Sequence, residues 1–166
     1  MKTVHNRTKR FGLARVLSKM GLASRTQAAN WIADGLVQVN GRTITDHEFP
    51  VHFDRDVVTV NSQKAVAQEH IVLMLNKPRG LVTTRRDEQQ RATVYDCLPA
   101  GMPWLAPVGR LDKASEGLLL MSNDPVWAAT ITDPKTGPDK TYHVQINSIP
   151  TQAQLSAMQT GVDSDV

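Results

Sequence analysis

The stretch GRLDKASEGLLL, residues 109–120, decides the fold of the second half of this 166-residue chain. Its charged first part runs directly into three consecutive leucines, which indicates a buried strand. Asp112 is therefore expected at the edge of a buried element, with the cation of Arg110 two residues away. A carboxylate between an apolar wall and a cation is a candidate for chemistry, although most aspartates in turns only hydrogen-bond the local backbone.

Two short helices and a hairpin are predicted in the first sixty or so residues. Helical spacing relates four apolar residues ahead of Gly21: Leu13, Val16, Leu17 and Met20. Ser24, with Gln27 three residues later, forms a capping-box pattern and predicts the start of a second helix. Asn40-Gly41 favours a two-residue hairpin turn, because both positions require positive φ. A further strand is predicted over residues 56–60.

Charge is distributed unevenly along the chain. The net charge is +3, yet seven Lys and Arg residues precede the first acidic residue, Asp34. A basic amino-terminal block on a near-neutral body indicates an anionic partner bound at that end. Residues 62–69 are polar and aperiodic, and they are predicted to form a linker that permits relative motion of the two parts.

The second half alternates strand and helix patterns. Residues 71–75 form a continuous apolar run that predicts a buried strand, and the segment Asn76-Lys77-Pro78-Arg79-Gly80 predicts a tight turn after it. Helix starts are predicted at Thr93, Asp124 and Thr151. Strict alternation over residues 140–146 predicts a strand with Tyr142 on one face.

Several classes of protein are excluded by composition. The single cysteine, Cys97, cannot form an intrachain disulfide, and neither the cysteine nor the five histidines show metal-ligand spacing. No apolar run is long enough to cross a membrane, and the first residues lack the apolar core of a signal peptide. We therefore expect a cytoplasmic protein without a metal site.

Two known families are similar to this sequence. The run from Gly109 through Asp124 resembles the catalytic motif of the RsuA-like pseudouridine synthases, which modify ribosomal RNA. Two shorter segments resemble the other motifs of that family, namely residues 75–80 and Lys140-Thr141-Tyr142. The first part of the chain resembles the RNA-binding module named after ribosomal small-subunit protein four, which is called the S-four-type domain here. Three segments carry this resemblance: residues 13–17, 21–25 and 35–41.

The resemblance implies an α+β protein with two domains. A small helix-helix-hairpin RNA-binding domain is followed by a catalytic domain with a mixed, mainly antiparallel sheet and flanking helices. The predicted division is a basic tail over residues 1–9, the S-four-type domain over 10–61, the linker over 62–69 and the catalytic domain over 70–166. Family members continue well past the equivalent of Val166, so we expect this chain to be a fragment and its catalytic sheet to be incomplete.

The family also implies roles for particular residues. Asp112 is the catalytic carboxylate, Arg110 helps to displace the base and pairs with the carboxylate, and Tyr142 lies beside the target base. Lys77 and Lys140 support the active site. RNA contacts are assigned to four residues of the S-four-type domain: Arg15, Lys19, Ser24 and Arg25. For two of these a structural role is the alternative, because Ser24 also caps a helix and Lys19 also suits a solvated helix face.

The implied reaction is the isomerisation of uridine to pseudouridine in ribosomal RNA by a monomeric enzyme. This reaction implies no cofactor, because it involves no oxidation or reduction and a carboxylate can carry it out. Asp112 either attacks the anomeric carbon or removes a neighbouring sugar proton, and the sequence leaves both routes open. Leu118 to Leu120 and Tyr142 are expected to wall the pocket. The segments 115–117 and 149–152 favour large-subunit over small-subunit RNA. The alternative function is a non-catalytic RNA-binding or ribosome-assembly protein.

Overall fold

The computed structural model describes residues 9–85 and 87–161, so nearly all of the predicted basic tail lies outside the described residues. The predicted α+β class is confirmed. The elements, in chain order, are β1 Arg10–Gly12, α1 Leu13–Lys19, α2 Arg25–Ala33, β2 Val37–Val39, β3 Arg42–Thr43, β4 Pro50–His52, β5 Val58–Val60, β6 Gln63–Lys64, β7 Val72–Lys77, a 3₁₀ helix Val94–Cys97, β8 Ala106–Val108, β9 Gly117–Ser122, α3 Pro125–Thr132 and α4 Gln152–Thr160.

The first domain packs α1 and α2 beside short antiparallel strands. Strands pair in the order β3-β2-β5-β6, and β1 pairs with β4. Asn40 and Gly41 adopt φ of +52° and +80°, so the predicted hairpin turn between β2 and β3 is confirmed. The side chains that form the core are aliphatic and come from both helices and the strands: Leu13, Val16, Leu17, Ala28, Ile32, Val37, Val39, Val51 and Val58.

The start of the predicted linker is a strand. Asn61 and Ser62 both have positive φ, +48° and +65°, which turns the chain sharply after β5. Lys64 then pairs with Thr59 in an antiparallel ladder. The predicted linker over residues 62–69 is therefore wrong for residues 63–64, which form β6, because a tight turn of two polar residues returns the chain to the sheet.

The second domain is built on three antiparallel strands in the order β7-β9-β8. Its core contains Val94, Leu105, Leu119 and Met121. Lys77, the last residue of β7, lies opposite Gly117, the first residue of β9. This register brings the end of β7 to the loop that precedes β9.

The predicted burial of the first strand of this domain is wrong. Val72 and Met74 on β7 are 50% and 76% exposed, and Leu118 on the neighbouring strand β9 is 65% exposed. Successive side chains of a strand point to opposite faces, and in the described residues the core covers only the face that carries Leu73 and Leu75. An unbroken apolar run does not reveal that one of its faces is open.

The predicted strand over residues 140–146 is also absent, since that segment has no regular secondary structure and is exposed. No strand described in residues 9–85 and 87–161 runs beside it, so its backbone has no ladder partner and the alternation of its side chains has no sheet to pack on. By contrast the three predicted helix starts are confirmed at Thr93, Asp124 and Thr151. No helix in the described parts has the length and apolar character needed to span a membrane.

Candidate active site

The loop between β8 and β9, residues 109–116, is called the Asp112 loop here. A glycine with positive φ bounds it on each side, Gly109 at +85° and Gly117 at +126°. These conformations favour glycine, because a Cβ would clash with the local backbone. The loop therefore leaves β8 and enters β9 through sharp turns. Arg110 and Asp112 are both exposed on it.

Lys77 forms hydrogen bonds to the backbone of this loop from the interior of the domain. Its side chain is fully buried. The ammonium Nζ donates hydrogen bonds to the carbonyl oxygens of Asp112 at 2.9 Å, Ser115 at 2.7 Å and Pro78 at 3.2 Å. An ammonium group has three donors, so each one has a partner. The bonds to Asp112 and Ser115 fix the loop backbone at the candidate catalytic residue and three residues after it.

The turn after Lys77 adds further bonds to the loop backbone. Gly80 N–H donates to the carbonyl of Lys113 at 2.7 Å. The Thr83 hydroxyl donates to the carbonyl of Leu111 at 2.6 Å and accepts the Leu111 N–H at 3.3 Å. Thr83 was not predicted as a site residue, because it lies in a polar stretch whose sequence is typical of an exposed loop. The backbone is thus held on both sides of Asp112.

The carboxylate of Asp112 projects from this fixed backbone into solvent. Within residues 9–85 and 87–161 no side chain forms a hydrogen bond or ion pair with it, Arg110 included. The nearby pair of Arg79 and Glu116, at 3.4 Å, is largely exposed and contributes little to stability. The arrangement is an anchored loop that presents one carboxylate and one cation outward.

The remaining predicted active-site residues lie on the segment after α3. Lys140 Nζ donates to the carbonyl of Ile131 in the last turn of α3 at 2.9 Å. Tyr142 is 63% exposed and lies on a segment without regular secondary structure. The structure brings together Lys77 and Asp112. Tyr142 and Leu118 are 63% and 65% exposed, so the two side chains are not enclosed in the expected pocket wall within the described residues. The roles of Lys140 and Tyr142 stay predictions.

The predicted RNA-binding residues lie at one end of the first domain. Lys19 lies 4.0 Å and Arg15 5.4 Å from the centroid of the Phe11 ring, and Lys9 lies 5.8 Å from it. Cations are attracted to the face of an aromatic ring, so Phe11 gathers three positive charges. Sequence reasoning missed Phe11, because a single aromatic residue after a basic segment has no distinctive pattern.

Arg25 extends this basic surface. Together with Arg15 and Lys19 it lines a cleft of about 430 Å³, whose other wall is formed by α3 and the residues after it. No carboxylate in the described parts of the chain forms an ion pair with these three cations. Ser24 accepts the Gln27 N–H at 3.0 Å, so it caps α2 as its alternative role requires. The cations remain available to an anionic ligand.

Two side chains of the second domain have shifted pKa values. Hydrogen bonds from the Arg91 guanidinium, and then from the Arg91 backbone N–H, lower the pKa of Asp87 to about 2. Burial raises the pKa of Tyr95, whose hydroxyl donates to the carbonyl of Leu105 at 2.8 Å. No group of three or more His, Cys, Asp or Glu side chains in the described residues is arranged to hold a metal ion.

Two known protein families match the sequence of this chain. The model of the RNA pseudouridylate synthase family matches residues 71–163, and that of the S4 domain matches residues 11–65. The chain belongs to the RNA pseudouridylate synthase family and carries an S4 domain. Both resemblances predicted from the sequence are confirmed.

The relatives are similar in sequence to most of this chain. The "Ribosomal large subunit pseudouridine synthase B" of Bacillus subtilis is 34% identical over 150 residues, which are 90% of this chain and 61% of the relative. The protein of the same name from Pseudomonas aeruginosa is 34% identical over 158 residues, 90% of this chain and 40% of the relative. A solved structure of a pseudouridylate synthase has 26% identity and a TM-score of 0.42, covering 76% of this chain and 54% of its own. The chain thus spans about three fifths of the Bacillus relative.

Proposed function

We propose that this protein isomerises uridine to pseudouridine in ribosomal RNA, with Asp112 as the catalytic carboxylate and large-subunit RNA as the preferred substrate. The observation that carries the proposal is the buried ammonium of Lys77, bonded to the backbone of Asp112 and Ser115. Chemistry requires a reacting group held in one place, and these bonds hold the backbone while leaving the carboxylate exposed. The names of the relatives support the substrate class.

The reaction breaks one bond and forms another without oxidation or reduction. The bond between uracil N1 and ribose C1′ breaks, C1′ joins uracil C5, the proton on C5 is released to solvent, and N1 takes up a proton from solvent. Asp112 serves either as the nucleophile that attacks C1′ or as the base that removes the C2′ proton. Both routes need a carboxylate beside the ribose, and the exposure of the Asp112 side chain supports this role.

Two surfaces divide the recognition of RNA in this proposal. The cations around Phe11 and at Arg25 bind phosphates, which supplies affinity and orientation rather than base choice. The target uridine must leave the base stack of the RNA to reach Asp112. Arg110, two residues before Asp112, then occupies the space that the uridine leaves. Tyr142 stacks on the displaced base. We further propose that the protein acts as a monomer in the cytoplasm.

The test uses unmodified transcripts of large-subunit and small-subunit ribosomal RNA and the full product of the reading frame that encodes this chain. Pseudouridine is mapped by chemical labelling and primer extension. The expected result is isomerisation of a few defined uridines in the large-subunit transcript. Tight binding to both transcripts with no isomerisation of either would contradict the proposal and favour a non-catalytic RNA-binding protein.

A further inference from the structure

The catalytic motif ends in Ser122-Asn123-Asp124, three residues to which the reaction assigns no role. They lie where β9 ends and α3 begins. Ser122 and Asn123 are buried polar residues, and Asn123 is fully buried. Burial of a polar side chain costs free energy unless its groups are hydrogen-bonded, so the partners of these residues show what they do. The three residues are called the joint below.

The partners of the joint are in the chain that leads into the second domain. Asn123 Oδ1 accepts the Ile71 N–H at 2.8 Å, and Asn123 Nδ2 donates to the carbonyl of Glu69 at 2.8 Å. Ser122 Oγ donates to the carbonyl of Ile71 at 2.7 Å. The Asp124 carboxylate lies 3.0 Å from His70 Nδ1. Each residue from 69 to 71 is therefore held, and the end of the predicted linker is fixed.

The joint also contacts the first domain. Gly21, at the end of α1, is buried with φ of +72°, and a Cβ built there would lie 3.0 Å from Asn123 Nδ2. Gln68 N–H donates to the carbonyl of Met20 at 2.8 Å. The joint thus lies against the end of the helix that carries Arg15 and Lys19.

Strand β9 connects the joint to the Asp112 loop. It begins at Gly117, directly after the loop, ends at Ser122 and is paired along its whole length with β7. A paired strand of six residues is a stiff spacer. The buried amide of Asn123 therefore lies against Gly21, two residues after α1, while β9 leads from Asn123 to the loop of Asp112.

We infer that Asn123 is a positioning residue that fixes the phosphate-binding helix α1 at a set distance from Asp112 and thereby selects which uridine reacts. This inference rests on the proposed function. Phosphate contacts carry no base information, so the nucleotide that reaches Asp112 is set by the distance between the two surfaces. A loosened joint lets neighbouring uridines reach the carboxylate.

The first arm of the test measures the distance between the domains. Spin labels are attached to the natural Cys97, which is exposed in the second domain, and to an exposed first-domain position through Thr45→Cys. Gly21→Ala adds a Cβ against the hydrogen-bonded side-chain amide of Asn123. Its matched control is Gly35→Ala, which has the same φ of +72° but only an ordinary contact at 3.7 Å. The distance distribution should broaden or shift in Gly21→Ala and stay unchanged in Gly35→Ala.

The second arm measures site selectivity on the ribosomal RNA transcripts described above. In Gly21→Ala and in Asn123→Ala, the ratio of isomerisation at the main uridine to that at neighbouring uridines should fall at least about tenfold, since a displacement near 1 Å strongly affects a reacting pair. Gly35→Ala should keep the ratio of the unaltered protein. If either Gly21→Ala or Asn123→Ala fails to fold, the other variant still tests the inference.

Either of two results would overturn this inference without refuting the proposed function. One is an unchanged distance distribution in folded Gly21→Ala and Asn123→Ala proteins. The other is unchanged selectivity in variants that are active and whose distance distribution has broadened. An unaltered protein that isomerises no uridine would instead refute the proposed function, and the distance measurement would still decide whether the joint fixes the domains.

Discussion

Replacing Lys77 by Met tests whether the buried ammonium positions Asp112. Methionine has a similar length and no donor, so Lys77→Met removes the three bonds to the carbonyls of Pro78, Asp112 and Ser115. A hydrogen bond to a charged group contributes about 1.5–3 kcal/mol. Three of these do not simply add, because removing a buried charge also removes its desolvation cost.

The structure indicates that Lys77→Met lowers the free energy of unfolding by about the contribution of one such hydrogen bond. The Asp112 carbonyl still accepts the Ser115 N–H at 3.0 Å, and Pro78 is exposed to water. Only the Ser115 carbonyl, on a half-buried residue, loses its partner without a ready substitute. We expect the free energy of unfolding to fall by about 1–3 kcal/mol and Tm to fall by several degrees.

The loss of activity should be larger than the loss of stability suggests. The bonds from Gly80 and Thr83 remain, so the loop shifts without unfolding. A shift near 1 Å costs about 100-fold in rate. We expect kcat for uridine isomerisation to fall about 100-fold while KM and RNA affinity change only a few-fold, measured by steady-state tritium release and by filter binding.

Lys113→Met is the matched control for this prediction. Lys113 is an exposed cation next to Asp112 whose side chain bonds no part of the loop among the described residues. It should leave kcat nearly unchanged. Wild-type kcat in a folded Lys77→Met protein would refute the reasoning, and an equal loss in Lys113→Met would show that positive charge near Asp112 matters rather than the fixed backbone.

Three further predictions concern RNA binding, pH and proteolysis. RNA affinity should fall, and the slope of log affinity against log salt should become shallower by about 2–3, when glutamine replaces the three cleft cations together: Arg15, Lys19 and Arg25. Asp87→Asn should lower Tm at neutral pH. The difference in Tm from the wild type should shrink as pH falls from about 4 towards 2, because the carboxylate of Asp87, with its pKa of about 2, then becomes protonated. Trypsin should cut the 166-residue chain after Lys140, in an exposed segment without regular structure, before it cuts after Lys64, which lies in β6. Melting curves and mass spectrometry of the fragments check the last two.

Features set by neighbours in sequence were predictable. Ser24 and Thr151 each accept the N–H of the residue three positions later, and Asp124 accepts those of the residues two and three positions later. A capping side chain acts within its own turn, so its partners are visible in the sequence. The hairpin at Asn40 was predictable for the same reason, because the two turn residues themselves determine the positive φ.

Features set by distant contacts were not predictable from pattern alone. Lys77 reaches carbonyls 35 and 38 residues away, and Thr83 reaches Leu111 28 residues away. The family resemblance pointed to Lys77 as a supporting residue, but not to the atoms that it binds. Alternation around Tyr142 predicted a strand, yet a strand requires a neighbour, and the sequence of the segment does not show whether one is present.

The exposure of β7 has a similar cause. Its composition is apolar on both faces, and the described part of the sheet has a core on one face only. Burial depends on what the rest of the protein places against a strand, so the apolar run fixed the type of element but not the environment of Val72 and Met74.

The most direct test of the central claim is tritium release from ribosomal RNA labelled at C5 of uridine, comparing Asp112→Asn with the unaltered protein. Asparagine keeps the size of the side chain and removes the charge that both routes require. Because the backbone of residue 112, rather than its carboxylate, is bonded to Lys77, the loop should keep its structure and RNA binding should stay within a few-fold. The account predicts a loss of tritium release by several orders of magnitude with Tm nearly unchanged. Release at the normal rate by the Asp112→Asn protein would contradict the account.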